Sequence, residues 1–185
     1  MQMQDKKPLL TPQIPLGEEA KVAEIFSAVE QRVGFVPDGL RLYSFSPPLL
    51  QNFVSNIGYF NSGDRVPQKL MAMIRYLGSS RANCQFCIDL NEGFLTQMGL
   101  GLDEIRAARN NPELAPLDEK EKSLLRLALK ALDDADSLSA PDVDAARVQG
   151  WSDRDIFDAV AQATSNRAFN MMLRAFNVER HGVYS

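Results

Sequence analysis

The stretch Pro67-Gln68-Lys69-Leu70-Met71-Ala72-Met73-Ile74-Arg75-Tyr76-Leu77-Gly78-Ser79-Ser80-Arg81-Ala82-Asn83-Cys84-Gln85-Phe86-Cys87 decides how the chain is read. Leu70, Met71, Met73, Ile74 and Leu77 recur at the spacing of one helix face, which predicts a helix from about Pro67 to Arg81. A break near Asn83 leads into a second helix from Cys84 to about Met98, ended by Gly99. Cys84 and Cys87 are the two cysteines of the chain. If Cys84 opens a helix, both sulfurs share one face about one turn apart and can close a small disulfide ring.

Outward from this stretch the helical periodicity persists in both directions. Residues 1–16 are polar and spaced by Pro8, Pro12 and Pro15, the pattern of an extended arm that lies on the surface or docks on another subunit. After Gly17, a helix carries Ala20, Ala23, Ile25, Phe26, Val29 and Val33 on its apolar face and stops at Gly34. Asp38 to Tyr43 forms a short helix, and Ser46-Pro47-Pro48 starts the next, with Leu49, Leu50, Phe53, Val54, Ile57 and Phe60 as its stripe.

Beyond Gly99, a short helix over Leu100 to Asn110 carries Asp103 and Glu104 early and Arg106 and Arg109 late, as the helix dipole favours. A strongly amphipathic helix starts at Asp118, and Ser139-Ala140-Pro141-Asp142 caps another that ends at Gly150. Ser152-Asp153-Arg154-Asp155 opens a long last helix, with Ile156, Val160, Ala163, Phe169, Met172, Leu173 and Phe176 spaced for burial. No stretch alternates as a strand does. The expected class is all-α, a bundle of roughly eight to ten helices without a sheet. Residues 17–178 are read as one domain, with two pseudo-symmetric halves as the alternative, and 179–185 as a tail.

Composition narrows the function classes. Of 185 residues, 45% are hydrophobic and 24% charged, with a formal net charge of -4. This acidic balance, without a Lys/Arg cluster, argues against nucleic acid as a partner. No apolar run approaches the roughly 20 residues a bilayer crossing needs. The start lacks the apolar core of a signal peptide, so a cytoplasmic location is expected, where a Cys-x-x-Cys is more often catalytic or metal-binding than a structural staple. A zinc site needs about four ligands, and beyond the cysteines there is one histidine, His181 in the tail, so neither metal nor cofactor is expected.

The order of these pieces resembles the AhpD-like, or carboxymuconolactone decarboxylase, superfamily over roughly residues 18–178. The resemblance rests on Gly34-Phe35-Val36-Pro37-Asp38, Ser46-Pro47-Pro48, Asn83-Cys84-Gln85-Phe86-Cys87, Leu117 to Leu132, and Gly150-Trp151-Ser152-Asp153-Arg154-Asp155-Ile156 running to Asn166-Arg167. It is most similar to the peroxidase-related branch. That resemblance implies a homo-oligomer whose dithiol reduces hydroperoxides or accepts electrons from a thiol or lipoyl-protein partner. By position it makes Cys87 the attacking thiol and Cys84 the resolving one. It also implies a proton relay of a histidine four residues after the second cysteine and a glutamate twelve before the first. Here Asn91 and Ala72 hold those places.

Peroxide reduction needs a thiolate, a second thiol and a proton for the leaving oxygen. Amides at a helix start favour a Cys84 anion by about 1 kcal/mol and act less on Cys87. Asn91, at i+4 from Cys87, shares its face but does not titrate near neutral pH. Tyr76 and Arg75 are the further candidates for the pocket. Helical geometry turns Asp89 and Glu92 away, by about 160° and about 140°. The competing expectations are a non-enzymatic helical assembly protein, or a redox sensor with a decayed relay. Lactone decarboxylation is disfavoured, because it does not use a Cys-x-x-Cys.

Overall fold

The computed structural model describes residues 7–184. Among these the regular structure is helical throughout, with nine α-helices and no strand. They are α1 (Glu19–Val33), α2 (Asp38–Leu42), α3 (Pro47–Phe60), α4 (Gln68–Arg81), α5 (Gln85–Gln97), α6 (Leu102–Asn110), α7 (Glu119–Asp133), α8 (Ala140–Val148) and α9 (Asp153–Ala175). No helix among the described residues is long and apolar enough to cross a membrane.

The boundaries follow local chemistry. Asp118 Oδ1 accepts from the Glu121 N–H at 2.7 Å while Glu121 Oε2 accepts from the Asp118 N–H at 3.0 Å, a reciprocal cap that starts α7. Asp142 and Asp155 accept in the same way from the N–H groups of Ser139 and Ser152, each at 2.9 Å, and start α8 and α9. Gly99, at φ 89°, ends α5 in the left-handed conformation that glycine adopts without strain.

The chain divides into two compact units. The first comprises the described residues up to Tyr59 together with those from Met172 onward. Its core is Val22, Ile25, Leu40 and Leu50. Here the stripe of α1 differs from expectation: Ala20 and Ala23 are exposed, and Val22 is fully buried instead. Val22, Ile25, Phe26, Val29 and Val33 form the better three-and-four series, and the larger Val22 gains more by burial than either alanine. Residues 1–6 of the expected arm lie outside the described residues. From Lys7 to Pro15 the chain carries neither helix nor strand and bends at Leu9, whose N–H donates to the Phe176 carbonyl at 3.0 Å. In the tail, of which Ser185 lies outside the described residues, the Val183 N–H donates to buried Asp38 at 2.9 Å and His181 packs edge-on against Phe35.

The second unit, Phe60–Met171, holds the cysteines. α4 is its centre, packed on α5 and α7, with Leu70, Met73, Ile74 and Leu77 fully buried. Trp151 anchors the turn into α9, its indole N–H donating to the Lys120 carbonyl at 2.8 Å.

Candidate redox-active dithiol site

The turn between α4 and α5 sets the cysteines. Asn83 takes the left-handed conformation at φ 51°, which asparagine tolerates better than most residues, and this reverses the chain after α4. The Cys84 N–H then donates back to the Ser79 carbonyl at 3.1 Å, and the Ile88 N–H donates to the Cys84 carbonyl at 2.9 Å as α5 begins. Cys84 is therefore the N-cap and Cys87 the third residue of the helix. The Cys84 side chain forms no capping bond there. Its sulfur lies 3.0 Å from that of Cys87 instead.

Both cysteines are free thiols, each 1% exposed. The hydrogen bond with Cys84 pushes the Cys87 thiol far up, burial and the charge of Cys84 add to this, and a hydrogen bond from Asn170 pulls it down. Two sulfurs this close in a dry site do not both ionise, so the pair keeps at least one of its protons.

Asn91 and Arg75 lie together. Asn91 Nδ2 donates to the Cys87 carbonyl at 2.8 Å, and its Oδ1 accepts from Arg75 Nε at 3.1 Å. Arg75 Nη1 reaches Asn61 Oδ1 at 3.2 Å. Burial lowers the Arg75 pKa to about 10, so the guanidinium stays charged at neutral pH. Tyr76 goes elsewhere: its hydroxyl donates to Glu92 Oε1 at 2.7 Å. Arg106 holds the same carboxylate at 3.3 and 3.2 Å, so Glu92 is committed to α4 and α6 rather than to the sulfurs. Ala72 is fully buried in the core of the unit.

Three further side chains belong to the site. Ser79 on α4 and Asn166 and Asn170 on α9 form a buried hydrogen-bonded group, and the Ser79 carbonyl accepts from the Cys84 N–H. Asn166 stands out in the sequence as part of Asn166-Arg167, but Ser79 and Asn170 do not. The available signal is the inward stripe of α9, where asparagine twice takes a core position.

No family model and no curated protein sequence matches the chain. Solved structures do. A peroxidase-related protein from Silicibacter sp. TM1040 is 23% identical with a TM-score of 0.82, covering 100% of both chains. An alkylhydroperoxidase AhpD core protein from Ralstonia eutropha JMP134 is 19% identical with a TM-score of 0.77, covering 97% of this chain and 96% of its own. The fold is AhpD-like. The debrominase Bmp8, solved in complex with 2,3,4-tribromopyrrole, shares this AhpD-like fold at 18% identity and a TM-score of 0.78, over 98% of this chain and 96% of its own.

Proposed function

We propose that this AhpD-like chain is a thiol-dependent oxidoreductase that reduces hydroperoxides through Cys84 and Cys87. A dithiol partner such as a lipoyl protein would recycle it in the reducing cytoplasm, where the pair is kept as thiols. The observation that carries this is the 3.0 Å approach of two buried sulfurs at the start of a helix.

The atoms balance without a histidine. With one proton kept on Cys84, the Cys87 thiolate attacks the terminal oxygen of R–O–O–H. The O–O bond breaks, Cys87 becomes a sulfenic acid, and the leaving alkoxide takes the Cys84 proton to give R–OH. The Cys84 thiolate then attacks the Cys87 sulfur, the S–O bond breaks, and the hydroxide leaves as water after taking a proton from solvent. The two electrons given up in forming the disulfide return by exchange with the external dithiol.

A second reading shares the pair. The likeness to Bmp8 favours transfer of a halogen from a small haloaromatic to the thiolate, with a proton replacing it on the ring. The other thiolate then displaces halide and closes the disulfide. The AhpD-like reading also carries self-assembly, tested by light scattering; a monomer at micromolar concentration overturns that part.

Hydroperoxide consumption under a dithiol reducing system tests the main reading, with Cys84→Ser and Cys87→Ser as controls. Turnover lost in each variant supports it, and full turnover in both overturns it. One stoichiometric oxidation without turnover points to a redox sensor, and bromide released from a bromopyrrole points to the second reading.

A further inference from the structure

Arg75 is half-buried in the unit that holds the cysteines, and its charge is met by amides alone. A guanidinium can only donate, so each side chain that faces it presents oxygen. Asn91 Oδ1 accepts from Nε at 3.1 Å and Asn61 Oδ1 accepts from Nη1 at 3.2 Å. Among the described residues Arg75 has no carboxylate partner. Other arginines of the same unit are neutralised: Arg65 pairs with Asp155, Arg81 with Asp133, and Arg106 and Arg109 share Glu92. An amide oxygen offers a dipole and no charge. The positive charge of Arg75 therefore stays uncompensated, which is costly away from water.

This cation stands beside the dithiol. Asn91, which takes the Arg75 Nε–H, donates its own Nδ2 to the Cys87 carbonyl at 2.8 Å. One amide thus separates the guanidinium from the backbone of Cys87. The bonds to Asn91 and Asn61 engage two of the five guanidinium N–H groups, and the other three are left for the two-pronged grip that a carboxylate takes.

We propose that Arg75 is the carboxylate-binding subsite of the dithiol centre, so that the hydroperoxide it takes carries a carboxylate on a short skeleton. The proposal rests on the dithiol reading of Cys84 and Cys87 and names the substrate class for it. The incoming carboxylate supplies the counter-charge that Asn61 and Asn91 do not, and its grip on Arg75 sets the O–O group toward the sulfurs. The carboxylate leaves unchanged, and the bonds that form and break are those already given for Cys87, Cys84 and the peroxide. The chain has a net charge of -4, which repels anions at long range, so recognition of an acid here is a local effect.

The test compares two reagents of similar shape and different charge. The reduced chain is alkylated with iodoacetate, an anion, and with iodoacetamide, which is neutral, and the rates at each cysteine are read by mass spectrometry. Both reagents attack the same thiolate, so its pKa cancels from the ratio of the two rates. The parent's ratio, iodoacetate over iodoacetamide, is expected to exceed that of free cysteine. Arg75→Gln should lower it at least about tenfold, the worth of a hydrogen bond to a charged group. Arg75→Lys keeps the charge without the fork and should fall between the two. Asn61→Asp leaves Arg75 in place but gives it an internal carboxylate, and should lose the preference as fully; it decides the matter if Arg75→Gln unfolds. Equal slowing of both reagents, with the ratio unchanged, overturns the proposal. If neither reagent reaches the buried thiols, urea midpoints with benzoate take over. Benzoate should raise the midpoint of the parent and not that of Asn61→Asp, and the same shift in both, or none, overturns the proposal. Cumene hydroperoxide and its para-carboxylate then separate this subsite from the function it serves. Turnover of both at one rate keeps the dithiol reading and sinks the subsite. Turnover of neither, with the alkylation ratio or the benzoate shift still dependent on Arg75, sinks the reading and leaves the subsite.

Discussion

Tyr76 Oη donates to Glu92 Oε1 at 2.7 Å, joining α4 to α5 at a buried carboxylate that Arg106 and Arg109 reach from α6. Burial raises the Glu92 pKa, but the Arg106 and Tyr76 hydrogen bonds outweigh it and hold the group below its usual 4.5. The unfolded chain therefore binds the proton more readily than the folded one. This stabilisation is present above pH 4.5 and is lost as pH falls through the folded value.

Glu92→Gln should remove that dependence. Urea midpoints against pH are expected to fall less steeply on the acid side than in the parent chain. At neutral pH the variant should lose about 1.5–3 kcal/mol, the range for a hydrogen bond to a charged group. An acid limb as steep as the parent's would show that Glu92 does not contribute it.

Tyr76→Phe separates the carboxylate from the sulfurs. With the hydroxyl on the charged Glu92, its loss should cost about 1.5–3 kcal/mol in a urea titration. Alkylation of Cys87 should keep its parent pH profile. A shifted profile would return Tyr76 to the dithiol pocket and contradict the geometry.

The helix boundaries were legible because their causes are local. Asp118 and Glu121, Ser139 and Asp142, and Ser152 and Asp155 each lie three residues apart, so each reciprocal cap can be read directly. The Cys84–Cys87 approach was legible for the same reason. The group around Asn170 was not, since its partner Ser79 lies 91 residues away and a single asparagine in a helix carries no sign of its neighbour. Val22 was missed for a smaller reason. Two alanines share the period of α1, and periodicity alone does not weigh their small burial gain against that of valine. The place of Cys84 at the helix start was legible, and its side chain makes no cap there but lies against the Cys87 sulfur.

Ala72 and Asn91 give the last prediction. Ala72 is fully buried one turn before Arg75, whose Nε reaches Asn91 Oδ1. Ala72→Glu alone places an unpaired carboxylate in the core and should cost at least about 2 kcal/mol in a urea titration. Asn91→His alone gives up the bonds to the Cys87 carbonyl and to Arg75, and should slow hydroperoxide turnover. Together the two side chains can pair, so a double-mutant cycle is expected to show a favourable coupling of about 0.5–3 kcal/mol. Turnover in the double variant should then exceed that of either single one. If it also exceeds the parent rate, proton delivery limits the parent chain; if it only matches that rate, the Cys84 thiol already supplies the proton fast enough. Strict additivity in both stability and rate would mean that positions 72 and 91 do not meet, and the relay would have to be sought on α9.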